Sequence, residues 1–227
     1  MNKIICVLLT SFALSGTSVY AQQELAIDSS YDNSWYQQRL AYFRKMPDKK
    51  KEIIFLGNSI TEQGEWQEVI YKNNVLNRGI SGDVTYGILA RLDEVLSSKP
   101  SKLFVLMGIN DMKRGTPNDL IKANYERLIK RVQKESPGTK LYMQGLLPIN
   151  KTMLPESYSK LSNEKIDALN DALKSLCLSY KVTYIDLHPV MEDQNGQLKK
   201  EYSIDGLHLK SAAYKIWADY LRKVKAI

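Results

Sequence analysis

The sequence predicts an α/β fold: one parallel sheet of five strands covered by helices on both faces. Three observations carry that expectation. Five short apolar runs are each bounded by polar residues, Gly or Pro, as buried strands are; helical patterns separate them; and 227 residues suffice for one well-buried domain but give little reason to expect two.

The first segment, "MNKIICVLLTSFALSGTSVYAQ", places Lys3 before an apolar run from Ile4 to about Leu14, then small residues and Val19-Tyr20-Ala21. This is the pattern of a secretory signal peptide cut after Ala21. Residues 1–21 are therefore expected to be removed on export to a periplasm or the extracellular space, and residues 22–227 to form a single domain. The apolar run, roughly ten residues, is well short of the ~20 that a membrane-spanning helix needs, so no stable membrane insertion is expected. Cleavage also removes Cys6 and leaves Cys177 alone, so an intramolecular disulfide is ruled out despite the oxidising destination. Cys177 falls in the helical pattern "IDALNDALKSLCLSY" and reads as a buried structural thiol.

Next, "SWYQQRLAYFRKM" reads as an extra amphipathic helix outside the sheet, with Trp35, Leu40 and Phe43 inward. Strands are expected at 53–56, 75–77, 103–107, 141–144 and 182–185. Helices are expected at 65–72, 86–96, 119–134, 163–180 and Ser211–Lys223. In such a sheet ligands bind beyond the carboxyl ends of the strands, which is where chemistry is to be sought.

The net charge of +7 falls by one when Lys3 leaves, and the lysines are spread along the chain. A solvated basic surface with mild attraction to anionic substrates or an anionic envelope follows. An exported chain with no nucleic-acid-binding motif is not expected to bind nucleic acid.

Four strand ends carry unusual residues: Gly57-Asn58-Ser59, "NRGISGD" at 77–83, "LMGIND" at 106–111 and, after a loop, "SIDGLHL" at 203–209. A serine hydroxyl is a poor nucleophile until a base takes its proton, and histidine has the pKa for that task. The chain has two histidines. His208 follows Asp205 by three residues, close enough for the carboxylate to reach ring Nδ1 across one tight turn and fix the tautomer. His188, in "DLHPVM", reads as a polar residue at a strand end and is the alternative base. Candidate oxyanion donors are the N–H groups of Ser59 and Gly82 and the Asn110 amide. Each element has a plainer reading on its own: Ser59 as a helix cap, Gly82 as a turn residue, Asn110-Asp111 as a loop start, Asp205-Gly206 as a turn. Jointly, in this order at strand ends, they favour a hydrolase.

Gly57-Asn58-Ser59, Gly82, Gly108-Ile109-Asn110-Asp111 and Asp205-Gly206-Leu207-His208 resemble the four ordered blocks of the SGNH (GDSL-like) hydrolase family, over residues 53–208. "NRGISGDVTYGILARL" and "GLLP" at 145–148 are especially similar to platelet-activating-factor acetylhydrolase catalytic subunits and the bacterial esterases near them. The resemblance implies a flavodoxin-like three-layer α/β/α sandwich, no cofactor and no metal, with Ser59 as nucleophile, His208 and Asp205 completing a triad, and Ser59, Gly82 and Asn110 forming the oxyanion hole. One departure is visible, because Asn58 stands where the family usually has Asp and so lacks its charge.

The expected substrate is a small-molecule or glycan ester with a small acyl group, acetyl first, as on O-acetylated glycans or sialic acids. Ile109, Met112 and Leu147 are candidate pocket walls, though each also fits the core. The rivals are a lysophospholipase and, from another class, a non-catalytic glycan-binding module.

Overall fold

The five apolar runs become the strands of a single parallel sheet in the computed structural model, which describes residues 28–227. The expected signal peptide and Cys6 lie outside the described residues. The strands are β1 (Ile53–Gly57), β2 (Val75–Gly79), β3 (Lys102–Leu106), β4 (Lys140–Gln144) and β5 (Thr183–Ile185), in the order β2-β1-β3-β4-β5. That is the flavodoxin-like order, and its reversal between β1 and β3 opens a crevice at their carboxyl ends.

Ten α-helices surround the sheet in the described residues: α1 (Ser34–Lys45), α2 (Ser59–Glu62), α3 (Trp66–Ile70), α4 (Thr85–Ala90), α5 (Leu92–Ser97), α6 (Ile109–Arg114), α7 (Asn118–Glu135), α8 (Asn163–Ser179), α9 (His188–Met191) and α10 (Ser211–Lys223). α4, α5, α7 and α8 pack on one another in one layer, and α3, α9 and α10 in the other. Register explains how the sheet meets its helices. Phe55, Phe104 and Tyr142 occupy matching positions on β1, β3 and β4, and their rings stack at 4.8 and 4.6 Å. Trp66 of α3 extends the stack over Phe55 at 4.0 Å, and Trp217 of α10 meets Trp66 edge-on. Cys177 is buried on α8, and burial pushes its thiol pKa up to about 12, as suits a packing residue.

Two local expectations need correction. Trp35 is 44% exposed while Tyr36 is 2% exposed. Tyr36, Leu40 and Phe43 form the i, i+4, i+7 row of α1, whereas Trp35 stands about 140° away from Leu40 around a 3.6-residue helix. These three side chains and Ile80 make a small cluster of their own, and the Tyr36 hydroxyl donates to the Gly87 carbonyl at 2.8 Å. The helix expected over 86–96 is broken at Arg91, whose backbone leaves helical values (φ −112°, ψ 12°) and whose side chain turns inward to Asp83 at 2.9 Å.

Candidate active site

β1 delivers Ser59 to the crevice. The strand ends at Gly57, and buried Asn58 then caps α2: its Oδ1 accepts the Ile60 N–H at 3.0 Å and its carbonyl accepts the Glu62 N–H at 2.8 Å. Ser59 is thus the first residue of α2. From the far layer, the Tyr214 hydroxyl on α10 donates to the Ile60 carbonyl at 2.7 Å, pinning the same turn. Aspartate at position 58 would supply the same cap, so the Asn58 departure leaves the turn intact. The Asn58 amide nitrogen, however, is buried with no partner.

His208 comes from the segment before α10. Ser203 and Leu209 form an antiparallel bridge, and Asp205 lies in the turn between them. Asp205 Oδ1 accepts the N–H groups of Leu207 at 3.0 Å and His208 at 2.8 Å, while Oδ2 faces His208 Nδ1 at 2.7 Å. Gly206, at φ +90°, makes this turn; a Cβ there would also sit 2.6 Å from the Asn150 carbonyl. Burial pushes the Asp205 pKa up, but hydrogen bonds from the His208 ring and from the two N–H groups outweigh it and hold the carboxyl below its usual value. His208 Nε2 then meets Ser59 Oγ at 3.0 Å. A hydroxyl hydrogen-bonded to an imidazole that is itself held by a carboxylate can lose its proton as it attacks.

The candidate oxyanion donors lie at the ends of the three neighbouring strands. Gly82 follows β2 at φ +80°, and its carbonyl accepts Arg114 Nη2 at 3.0 Å. Asn110, near the start of α6 after β3, donates Nδ2 to the Asp83 carbonyl at 2.9 Å. The Ser59 and Gly82 N–H groups have no protein acceptor among the described residues.

The other candidates are placed elsewhere. His188 Nε2 faces the Leu146 carbonyl at 2.9 Å and the Asn170 amide at 3.2 Å, whereas the Ser59 hydroxyl is hydrogen-bonded to His208. Ile109 and Met112 on α6, and Leu147 after β4, are all buried side chains of the main core. Among the described residues, no group of three or more His, Cys, Asp or Glu side chains is disposed to hold a metal ion, and no helix is long and apolar enough to cross a membrane.

Sequence reasoning missed the charged groups beneath the site. Asp111 is buried and accepts the Thr85 N–H at 3.1 Å and hydroxyl at 2.5 Å, and burial pushes its pKa up to about 6. Asp83 and Arg91 form a fully buried ion pair. The one available signal was Arg91 itself, a charge on the apolar face of the 86–96 pattern.

Comparison with known proteins agrees with this geometry. The sequence profile of the GDSL-like lipase/acylhydrolase family matches residues 55–216. The chain is similar to platelet-activating factor acetylhydrolase IB subunit alpha2 of Gallus gallus, 27% identical over 83% of this chain and 82% of that one. A structure from Streptococcus pneumonia, provisionally described as a platelet activating factor, is 31% identical with a TM-score of 0.78, covering 84% of this chain and 92% of that one. A GDSL-like lipase from Bacteroides thetaiotaomicron shares the fold at 22% identity, with a TM-score of 0.72 and coverage of 85% and 98%. With the family match spanning most of the chain and the four sequence blocks gathered at one edge of the sheet, the protein belongs to the GDSL-like lipase/acylhydrolase family and is a carboxylic ester hydrolase.

Proposed function

We propose that the chain hydrolyses acetyl esters carried on carbohydrates, with Ser59 as nucleophile, His208 as general base and acid, and Asp205 as the group that orients it. The observation that carries this reading is the unbroken relay from Ser59 Oγ to His208 Nε2 at 3.0 Å and from His208 Nδ1 to Asp205 Oδ2 at 2.7 Å. His208 takes the hydroxyl proton as Ser59 attacks the ester carbonyl. The negative charge that develops on the carbonyl oxygen is met by the N–H groups of Ser59 and Gly82 and by the Asn110 amide. His208 then protonates the leaving alcohol, and water, activated in turn by His208, releases the acid from the acyl-enzyme.

The acetyl preference is supported by relatives named as platelet-activating factor acetylhydrolase subunits. The carbohydrate alcohol follows from the reading of residues 1–21 as a signal peptide, which takes the enzyme to where acetylated glycans are met. Edman sequencing of the mature protein should begin at Gln22; an N-terminus at Met1 would refute export by cleavage. A panel of acetyl and octanoyl p-nitrophenyl esters, acetylated sugars and lysophospholipids tests the substrate, and preference for octanoyl esters or lysophospholipids would overturn the acetyl reading.

A further inference from the structure

We propose that the buried Asp83–Arg91 ion pair is a positioning element of the oxyanion hole, locking the ends of β1, β2 and β3 into one geometry. This inference rests on the reading of Ser59, Gly82 and Asn110 as the oxyanion donors.

The contacts of this pair reach each donor by a separate route. Arg91 Nε and Nη2 both meet Asp83 Oδ2 at 2.9 Å, with both side chains fully buried. Nη2 also donates to the Gly57 carbonyl at 3.1 Å, two residues before Ser59. Asp83 is the neighbour of Gly82, and its Oδ1 accepts the Val84 N–H at 2.8 Å, which fixes the peptide direction just beyond the Gly82 turn. The Asp83 carbonyl accepts Asn110 Nδ2 at 2.9 Å and so aims the amide. One guanidinium and one aspartate residue thereby touch the strand-end segments that carry all three donors.

Stability alone is a poor reason for such a pair. Two charges lose their hydration on burial, and well-packed apolar side chains of similar size often serve a fold as well or better. Here the cost is raised further because Arg91 Nη1 is buried without a partner. The surroundings are shaped around the pair all the same. Arg91 interrupts the helix expected over 86–96, and its N–H is shared between the Gly87 and Ile88 carbonyls at 3.2 Å. Gly87 has no side chain where Asp83 approaches: a Cβ would lie 1.9 Å from Asp83 Oδ1. A planar guanidinium can hold a carboxylate and a carbonyl at fixed angles, which a lysine ammonium cannot reproduce.

The test compares wild type with Arg91→Lys, which keeps the charge and loses the fork, and with the double exchange Asp83→Leu/Arg91→Met, which removes both charges together. Ser59→Ala serves as the control for the site itself. For each, kcat and KM for p-nitrophenyl acetate, inhibition by methylboronic acid, whose adduct with a serine is tetrahedral, and the melting temperature are measured. Both positioning variants are expected to lose about 10²-fold in kcat, as a ~1 Å misplacement does, with KM changed less than about threefold and boronate affinity weakened in parallel with kcat. A purely structural role predicts a lower melting temperature with kcat per folded molecule and boronate affinity unchanged, and that result overturns the proposal. If Ser59→Ala remains active, the reading of the site fails first; if it is inactive while Arg91→Lys and the double variant match wild type, only the positioning role fails.

Discussion

The two histidines occupy similar surroundings and make opposite contacts. Both are half-buried, both stand near the carboxyl edge of the sheet, and both have a carboxylate facing Nδ1: Asp205 at 2.7 Å for His208, Glu192 at 3.4 Å and Asp167 at 3.7 Å for His188. The difference lies at Nε2. His208 meets a hydroxyl, which has a proton to give, whereas His188 meets the Leu146 carbonyl, which can only accept one. A carboxylate-oriented imidazole is therefore no sign of catalysis by itself. On the function proposed above, what its far nitrogen faces separates a base from a structural tie.

The largest effect that could break this contrast comes from truncating each ring. His208→Ala and Ser59→Ala should each lower kcat at least ~10³-fold, while His188→Ala should leave kcat for p-nitrophenyl acetate within about threefold and lower the melting temperature. A matching loss in His188→Ala would erase the distinction. Next in size, Asn110→Ala should lower kcat by about 10²-fold with little change in KM, because an oxyanion donor acts mainly in the transition state. A rise in KM with unchanged kcat would move Asn110 to substrate binding.

Around His188, the same histidine-and-amide chemistry should read out as stability. Asn170 Oδ1 accepts the Leu146 N–H at 2.8 Å and its Nδ2 donates to the Leu146 carbonyl at 3.0 Å. Asn170→Ala leaves the buried Leu146 N–H unpaired, while the Leu146 carbonyl keeps His188, and should cost ~1–3 kcal/mol in urea unfolding with kcat near that of wild type.

The smallest and most discriminating test is pH. The Asp205 pKa is lowered in the folded state, so its contribution to stability is present above about pH 4, the unfolded value, and is lost as pH falls through the folded one. Asp111 behaves with the opposite sign. Its pKa is raised to about 6, so its contribution is greatest below about pH 4 and is lost as pH rises through about 6. Unfolding free energies measured from pH 3 to 7 should diverge accordingly: Asp205→Asn should lose its disadvantage toward acid, and Asp111→Asn should flatten the decline between about 4 and 6.

How much of this was legible depends on the range of the interaction. Strands buried on both faces announce themselves as apolar runs, so all five were found within a few residues, and the long helices α7, α8 and α10 were found by their periodicity. α2, α6 and α9 span four to six residues, too few to show a period. Arg91 is a good helix former, so nothing local warned of the break it makes; only its burial against Asp83 explains it. Trp35 was assigned inward on apolarity alone, although its indole N–H reaches the Glu62 carboxylate at 3.4 Å at the rim. The chemical residues were readable as separate blocks, but their meeting is a property of sheet order, as it sets the ends of β1, β2 and β3 side by side. The buried ion pair left one sign in the sequence, the charge of Arg91 on an apolar face; its partner Asp83, eight residues back across a turn and a broken helix, shares no period with it.

The separate cluster that fastens α1 has a bearing on how the enzyme fails. Four buried side chains, Ile80 among them, tie this helix to the segment between β2 and α4, and little of the main core is spent on holding it. Such a unit can open by itself at a fraction of the free energy of global unfolding. When it does, Ile80 loses its cover and the Tyr36 tether to Gly87 goes with it, on either side of Gly82. Heat inactivation and melting should then separate: amide exchange should quicken first in α1, and turnover should fade while the sheet behind it is still whole.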